Sequence, residues 1–216
     1  MSVQKILFGI EYTEANIRVT TSMGHRSMIT GRFTDAEQWL GHLFYGMSIP
    51  SKSRLMGAIT LPVNILREHG PNIQRAAKNF RFDRVMICST CYAMAQGIPI
   101  QADLVSIHVA PGVSSIGIVR RAGPDPELED FARPIVGREA REVLVSLRCL
   151  LKSVPKEQRA KLIENVVVGG DSEALAVLGK ERLKEELWTL GAEPVFIEDA
   201  HAAAVGALDL ARRLCS

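Results

Sequence analysis

The chain has 216 residues, of which 47% are hydrophobic and 23% are charged, as is typical of a globular protein with one large domain or two small lobes. A net charge of +2, with only 3 tyrosines and 2 tryptophans, excludes a basic, aromatic-rich surface for nucleic acid. No run approaches the roughly 18 apolar residues of a membrane span, and Ile6–Ile10 is too short for a signal peptide. We therefore expect a cytoplasmic protein with no stable membrane insertion and no nucleic-acid partner.

The first half of the chain predicts short strands that alternate with helices. Turn-forming residues separate the apolar runs, which predicts strands at Ile6–Ile10, Ile17–Val19, Ser27–Ile29, Met56–Leu61 and Arg84–Cys88. Asp35 is placed to cap a helix in which Trp39, Leu40 and Leu43 follow the helical spacing. We expect Pro71 to open a second helix and Cys91–Gln96 to begin a third.

The second half of the chain repeats this order of elements. It predicts strands at Leu104–Val109, Ser115–Val119, Val166–Val168 and Val195–Ile197, and helices at Ile135–Leu151, Glu181–Leu190 and after an Asp199 cap. The polar, proline-broken segment Gly123–Glu129 is the best candidate for a linker. A repeated order of strands and helices predicts an α/β protein of two similar lobes, each with a mixed sheet flanked by helices.

Five local sequence patterns follow one another along most of the chain. They are Leu55–Pro62 with Asn72–Phe80, Val85–Ile100 (VMICSTCYAMAQGIPI), Arg141–Val168, Val166–Leu175 (VVVGGDSEAL) and Phe196–Leu208 (FIEDAHAAAVGAL). In this order they resemble motifs of the actin-like ATPase superfamily, and among its members those of the MreB-like bacterial actins. The resemblance implies two ribonuclease-H-like lobes that are joined by two crossing helices.

The resemblance also implies domain boundaries and a reduced size. Lobe I would comprise residues 1–97, with the C-terminal helix 199–216 packed at the lobe junction, and lobe II would comprise residues 98–198. The family inserts an outer subdomain into each lobe, but here only Arg32–Ser53 and Arg121–Pro134 stand at the two insertion points. Because both stretches are too short to hold a subdomain, we expect a minimal actin-like core.

The resemblance further implies a nucleotide cleft between the lobes. An actin-like ATPase needs backbone N–H groups in two hairpins for the phosphates, carboxylates for the hydrated Mg²⁺, and a polar side chain to position water. The residues of this chain at the equivalent positions are Glu11, Tyr12, Thr13, Glu14, Thr90, His108, Gly112, Gly169, Gly170 and Asp171.

The two phosphate hairpins depart from the family pattern. In the first, Glu11 stands at the family's Asp, the β-branched Thr13 at its Gly, and Glu14 at its phosphate-contacting Thr. At about 4 Å and an effective dielectric constant of about 20, Glu14 would repel a phosphate charge by roughly 4 kcal/mol. In the second, His108 replaces the Asp, and Pro111 lacks the N–H group that a phosphate would need.

Of the remaining cleft positions, one is replaced and two keep the residues of the family pattern. Thr90 lies where the family has its water-positioning Glu, so this function is lost. On the adenosine side Gly169 and Gly170 are kept and are followed by Asp171. A plain helix cap by Asp171 after a buried strand explains this turn equally well.

We therefore expect a pseudo-ATPase without catalytic residues, metal ligands or a required cofactor. The predicted function is that of a scaffold, adaptor or assembly factor that acts through protein partners or self-association. The alternative is an ATP- and Mg²⁺-binding bacterial actin, or a reactivase-type chaperone, with weak ATPase activity. In that alternative Glu11 would be the metal-side carboxylate.

Three other side-chain groups allow two interpretations each. Glu11, Glu14 and His108 would bind a metal ion if they converged, although an exposed polar remnant of a cleft is favoured because their spacing carries no metal signature. Cys88 and Cys91 form a Cys-Ser-Thr-Cys motif that is open to a redox role, although buried structural thiols are favoured. His201 is interpreted as a helix-start residue rather than a catalyst.

Overall fold

Two stretches of the chain build the same order of strands and helices. The computed structural model describes residues 4–31, 35–121, 133–135 and 139–215. The first sheet consists of β1 (Lys5–Tyr12), β2 (Asn16–Thr21), β3 (Arg26–Thr30), β4 (Arg54–Leu61) and β5 (Phe82–Ser89), in the order β3-β2-β1-β4-β5. The second consists of β6 (Leu104–Val109), β7 (Ser114–Val119), β8 (Arg133–Ile135), β9 (Val166–Gly170) and β10 (Val195–Phe196), in the order β10-β9-β6-β7-β8.

Each sheet is mixed, as the sequence predicts. β1 pairs antiparallel with β2 and parallel with β4, and β6 pairs in the same way with β7 and β9. The helices that flank the sheets are α1 (Ala36–Tyr45), α2 (Val63–Asn79), α3 (Thr90–Gln96), α4 (Ala140–Lys152), α5 (Lys156–Ile163), α6 (Ser172–Leu178), α7 (Lys180–Trp188) and α8 (Ala202–Arg213). The α/β architecture of two similar lobes is therefore confirmed, while the boundary at residues 97 and 98 stays a prediction.

Helices α3 and α8 cross between the two sheets at very short range. A Cβ atom on Gly206 of α8 would lie 1.7 Å from the carbonyl oxygen of Ala93 in α3. Around this crossing a buried cluster joins residues of both sheets, including Ala58 of β4, Leu104 of β6 and Val167 of β9. The two lobes are therefore packed together through one shared core in addition to the core of each lobe.

Two predicted helix starts, one in each half of the chain, are wrong. Helix α2 begins at Val63 after Pro62 and runs through Pro71, which was expected to open it, because the buried positions Gly70 and Ile73 continue one apolar face across the proline. Ile135 lies in β8 rather than in a helix, and α4 begins at Ala140 after a capping box.

Two further differences concern the second half. Asp199 does not cap α8 directly, because His201 occupies the N-cap position and donates its backbone N–H to the Asp199 carboxylate at 2.9 Å. The short helix α5 was not predicted, since it buries Leu162 and few other apolar side chains. The linker candidate Gly123–Glu129 lies outside the described residues.

The first insertion point contains one helix in its described part. Helix α1 begins after the predicted Asp35 cap and packs Trp39, Leu40 and Leu43 into the lobe I core. No outer subdomain stands there among residues 35–53, in agreement with a minimal core, whereas most of the second insertion point lies outside the described residues. Cys88 and Cys91 are 2% and 1% exposed, in agreement with buried structural thiols.

Candidate functional site

Four charged or polar side chains from both lobes meet at the ends of the central strands. Glu11 of β1 and Arg18 of β2 are direct partners in the antiparallel register, so their side chains leave the same face of the first sheet. His108 lies on β6, and Asp171 follows β9 and caps α6. All four residues are at most 9% exposed.

These four residues form one continuous network, which we call the interlobe network (Glu11, Arg18, His108 and Asp171). The Arg18 guanidinium contacts Glu11 Oε2 through Nη1 at 3.4 Å and the Asp171 carboxylate through Nη2 at very short range. His108 Nε2 lies 2.7 Å from Glu11 Oε1. Because an ionised carboxylate only accepts hydrogen bonds, Nε2 carries the proton and donates it.

The interlobe network compensates charges that would be costly to bury alone. Two carboxylates face one guanidinium, and His108 supplies a further donor to Glu11. An unpaired ion in such a place costs several kcal/mol, whereas paired and hydrogen-bonded ions are tolerated. Since Glu11 and Arg18 belong to lobe I, and His108 and Asp171 to lobe II, each lobe supplies the partners of the other.

The network bears on both interpretations of Glu11 and His108. These residues do converge, but both are almost fully buried, so the favoured description of an exposed polar remnant is wrong for them. Glu14 alone of the three is exposed. Within the described parts of the chain, no group of three or more His, Cys, Asp or Glu side chains is arranged for a metal ion.

Arg18 is the network member that sequence reasoning missed. It lies between the buried apolar residues Ile17 and Val19, where a strand pattern alone assigns it to a solvent-facing side. The available signal was the predicted hairpin, because pairing Gly9–Tyr12 with the second strand sets a basic residue opposite Glu11.

The turn of the first hairpin uses its own hydrogen-bonding groups. Thr13 accepts the backbone N–H of Asn16 through Oγ1 at 2.9 Å, and donates its own backbone N–H to the Asn16 carbonyl at 2.8 Å. A polyphosphate at this turn would therefore have to displace internal hydrogen bonds. The adjacent Tyr12 is half-buried, and burial together with the negative charge of Glu14 raises its pKa.

The turn of the second hairpin also offers few free backbone N–H groups to a phosphate. The backbone N–H of Ala110 lies 3.4 Å from Ser114 Oγ, and Pro111 has no N–H group. Gly112 adopts a φ of +91°, and a Cβ atom there would lie 3.0 Å from a carboxylate oxygen of Glu14. The exposed Glu14 of lobe I thus covers the second turn.

Close packing requires glycine at both positions on the adenosine side. Gly170 adopts a φ of +128°, and a Cβ atom on it would lie 2.0 Å from the Val109 carbonyl oxygen of β6. A Cβ atom on Gly169 would lie 2.6 Å from Met94 Sδ of α3. Asp171 caps α6 by accepting the N–H groups of Glu173 and Ala174 at 3.1 and 3.0 Å.

The first interlobe helix contributes a buried hydroxyl. Thr90 opens α3 and is fully buried, and its Oγ1 has no hydrogen-bond partner within the described residues. Ser89 caps this helix by accepting the Tyr92 N–H at 3.2 Å. A threonine at this position offers no carboxylate that would orient an attacking water.

A small cavity borders the second turn in lobe II. Its volume is about 250 Å³, below the 300–1,000 Å³ that is usual for ligand sites. The lining residues are Val109, Ala110, Pro111, Gly112, Ser114, Asp171, Glu173, Ala174, Val177 and Leu178.

Across the described ranges of the chain, no helix has the length and apolarity that a membrane crossing requires.

Comparison with solved structures identifies the fold. The chain aligns with a MamK double helical filament at a TM-score of 0.77 and 12% identity, over 97% of this chain and 99% of that one. It aligns with MreB 5 of Spiroplasma citri bound to AMPPNP at a TM-score of 0.71 and 11% identity, over 99% of this chain and 98% of that one. It also aligns with the ethanolamine utilization protein EutJ from Carboxydothermus hydrogenoformans at a TM-score of 0.57 and 14% identity, over 94% of this chain and 89% of that one. No protein-family model matches the sequence, and no curated protein does. The chain has the actin-like fold of these bacterial proteins, in a minimal form of 216 residues.

Proposed function

We propose that this protein is an actin-like scaffold that works without nucleotide and acts through protein contacts. The observation that carries the proposal is the interlobe network, in which Glu11 and Arg18 of lobe I are paired with His108 and Asp171 of lobe II. In place of a nucleotide that bridges two lobes, this chain has a buried set of its own side chains at the ends of the same hairpins.

The charges around the hairpins support this proposal. A triphosphate between the lobes would approach Glu11, Glu14 and Asp171, and each carboxylate repels one phosphate charge by roughly 4 kcal/mol at about 4 Å and a dielectric constant of about 20. Arg18, the cation at this place, is already held by two of them. Freeing it would leave the carboxylates of Glu11 and Asp171 without their cationic partner, which costs about 3–5 kcal/mol for a buried pair.

Self-association or a protein partner is the second part of the proposal. MamK, and Alp12 at a TM-score of 0.60 and 7% identity, were solved as filaments. In this chain β3 forms an edge of the first sheet, and its Met28 is 54% exposed. Edge strands offer backbone groups with which a further strand can pair. Such an edge supports contacts with other chains and needs no nucleotide.

Calorimetric titration with ATP, ADP and AMPPNP in the presence of Mg²⁺ tests the proposal. We expect no saturable heat of binding and no rise in the midpoint of thermal unfolding, because a ligand that binds only the folded state would raise that midpoint. We also expect no phosphate release above the buffer control. Binding at micromolar nucleotide with turnover would refute the proposal.

The alternative, an ATP-binding actin or reactivase-type chaperone with weak activity, has one observation in its favour. The cavity of about 250 Å³ in lobe II lies against Gly112 and Asp171 and has an apolar wall at Ala174 and Val177. If nucleotide does bind, a Glu11→Gln variant separates the two functions. Loss of Mg²⁺-dependent binding in this variant would favour the alternative, in which Glu11 serves the metal.

A further inference from the structure

A second cavity, of about 390 Å³, lies in lobe I on the side of the sheet that faces away from the interlobe network. We call it the lobe I pocket, and it is lined by Tyr12, Glu14, Asp35, Ala36, Trp39, Ile65, His69, Asn72 and Ile73. It sits beyond the carboxyl ends of β1 and β4, which is the edge where open α/β sheets usually bind ligands. Its volume is within the range of small-molecule sites.

The walls of the lobe I pocket divide into an acidic rim and an apolar side. Glu14 and Asp35 supply two carboxylates, and no lysine or arginine stands among the nine lining residues. Glu14 is exposed and forms no ion pair within the described part of the chain, whereas Asp35 also caps α1 through long contacts of 3.4 and 3.3 Å. Among the described lining residues, the pocket therefore has two carboxylates and the imidazole of His69, with no lysine or arginine beside them.

The apolar side offers surfaces that suit the stem and head of a cationic chain. The half-buried side chains of Tyr12 and Ile65 supply the accessible part of this wall, whereas Trp39 and Ile73 are 1% and 4% exposed and support it from within the core. The rings of Tyr12 and Trp39 lie 5.9 Å apart between centroids. Aromatic faces attract ammonium and guanidinium groups, and alkyl stems of lysine and arginine pack along aliphatic side chains. Burial, and after it the negative charge of Glu14, raises the pKa of Tyr12 in this wall.

We propose that the lobe I pocket binds the cationic end of a flexible alkyl chain, with an ammonium or guanidinium group between Glu14 and Asp35 and the stem against Tyr12 and Ile65. Two sources carry this chemistry, namely a basic side chain of a partner polypeptide and a free polyamine. The proposal does not rest on the nucleotide-free function above, because no member of the interlobe network lines the pocket.

Fluorescence titration of Trp39 in a Trp188→Phe background tests the pocket, since Trp39 lies in its wall and Trp188 is 55% exposed on lobe II. The probes are Nα-acetyl-arginine amide, its neutral analogue Nα-acetyl-citrulline amide, and spermidine. We expect the arginine compound to bind at least about tenfold more tightly than the citrulline compound, because charge-assisted hydrogen bonds to carboxylates are the stronger ones. Spermidine tighter than the arginine compound would assign the pocket to a polyamine, and the reverse to a polypeptide.

Matched variants make the test specific. Glu14→Gln should weaken binding of the cationic probes about tenfold, and Asp35→Asn should weaken it while it keeps the helix cap. Glu157→Gln removes the same charge from an exposed site on α5 and should leave binding unchanged. Equal binding of the arginine and citrulline compounds, no saturable binding of any cation, or equal effects of Glu14→Gln and Glu157→Gln would overturn the proposal.

Discussion

A single guanidinium joins carboxylates from both lobes. Arg18 is 1% exposed and holds the carboxylates of Glu11 and Asp171, which come from different lobes. Buried ion pairs of this kind contribute little net stability compared with apolar packing, but removing one partner leaves the others buried and uncompensated. The network therefore specifies how the lobes meet, even where it adds little to the free energy of unfolding.

Replacing Arg18 tests this description directly. Arg18→Met keeps most of the apolar stem and removes the charge, so we expect the free energy of unfolding in urea to fall by about 3–5 kcal/mol. The control is Arg26→Met, because Arg26 forms an exposed ion pair with Asp199 at 3.1 Å. Loss of this exposed pair should lower the free energy of unfolding by at most about 1 kcal/mol. Similar small losses in both variants would contradict a structural role for the network.

The crossing of α3 and α8 is the element that fixes the distance between the lobes. Gly206 stands where the two backbones are in contact, with the Ala93 carbonyl oxygen 1.7 Å from the position of a Cβ atom. The contact requires a glycine because any side chain would force the helices apart. This geometry explains a helical glycine that helix propensity alone disfavours by about 1 kcal/mol.

Two helical glycines give opposite predictions. Gly206→Ala should lower the free energy of unfolding by at least about 2 kcal/mol, because overpacking of a tight contact shifts backbone. Gly41→Ala in α1 should raise it by up to about 1 kcal/mol, since its new methyl would lie 3.7 Å from Phe80, at ordinary contact distance. Chemical denaturation of both variants measures the difference, and equal signs would show that the crossing tolerates a side chain.

Sequence patterns predicted elements better than they predicted pairings between elements. The strand Leu104–Val109 has the predicted bounds, because a buried apolar run ends where Ala110 and Pro111 begin the turn. Pro71 misled the prediction because a proline signals a helix start locally, whereas α2 is held across it by packing of its buried face. Arg18 and Asp171 are 153 positions apart, so only the fold brings them together.

At the scale of the whole molecule, two independent features join the lobes. The shared core around α3 and α8 contains residues of both sheets, and the interlobe network lies above it at the strand ends. In an enzyme that opens and closes around nucleotide, the lobes have to move relative to each other. Here side chains of both lobes hold the lobes together, as the proposed nucleotide-free scaffold requires.

Native-state hydrogen exchange tests whether the lobes form one cooperative unit. We expect the backbone amides of Ile10 and Ile59 in lobe I and of Ile107 and Val168 in lobe II to exchange with one common free energy of opening, equal to that of global unfolding. In Arg18→Met all four should lose protection by the same amount, because the network belongs to both lobes. An Arg54→Met control removes an exposed pair with Asp83 inside lobe I and should leave all four nearly unchanged. If one sheet exchanged more readily than the other in the wild-type protein, the lobes would open independently and the network would not hold them together.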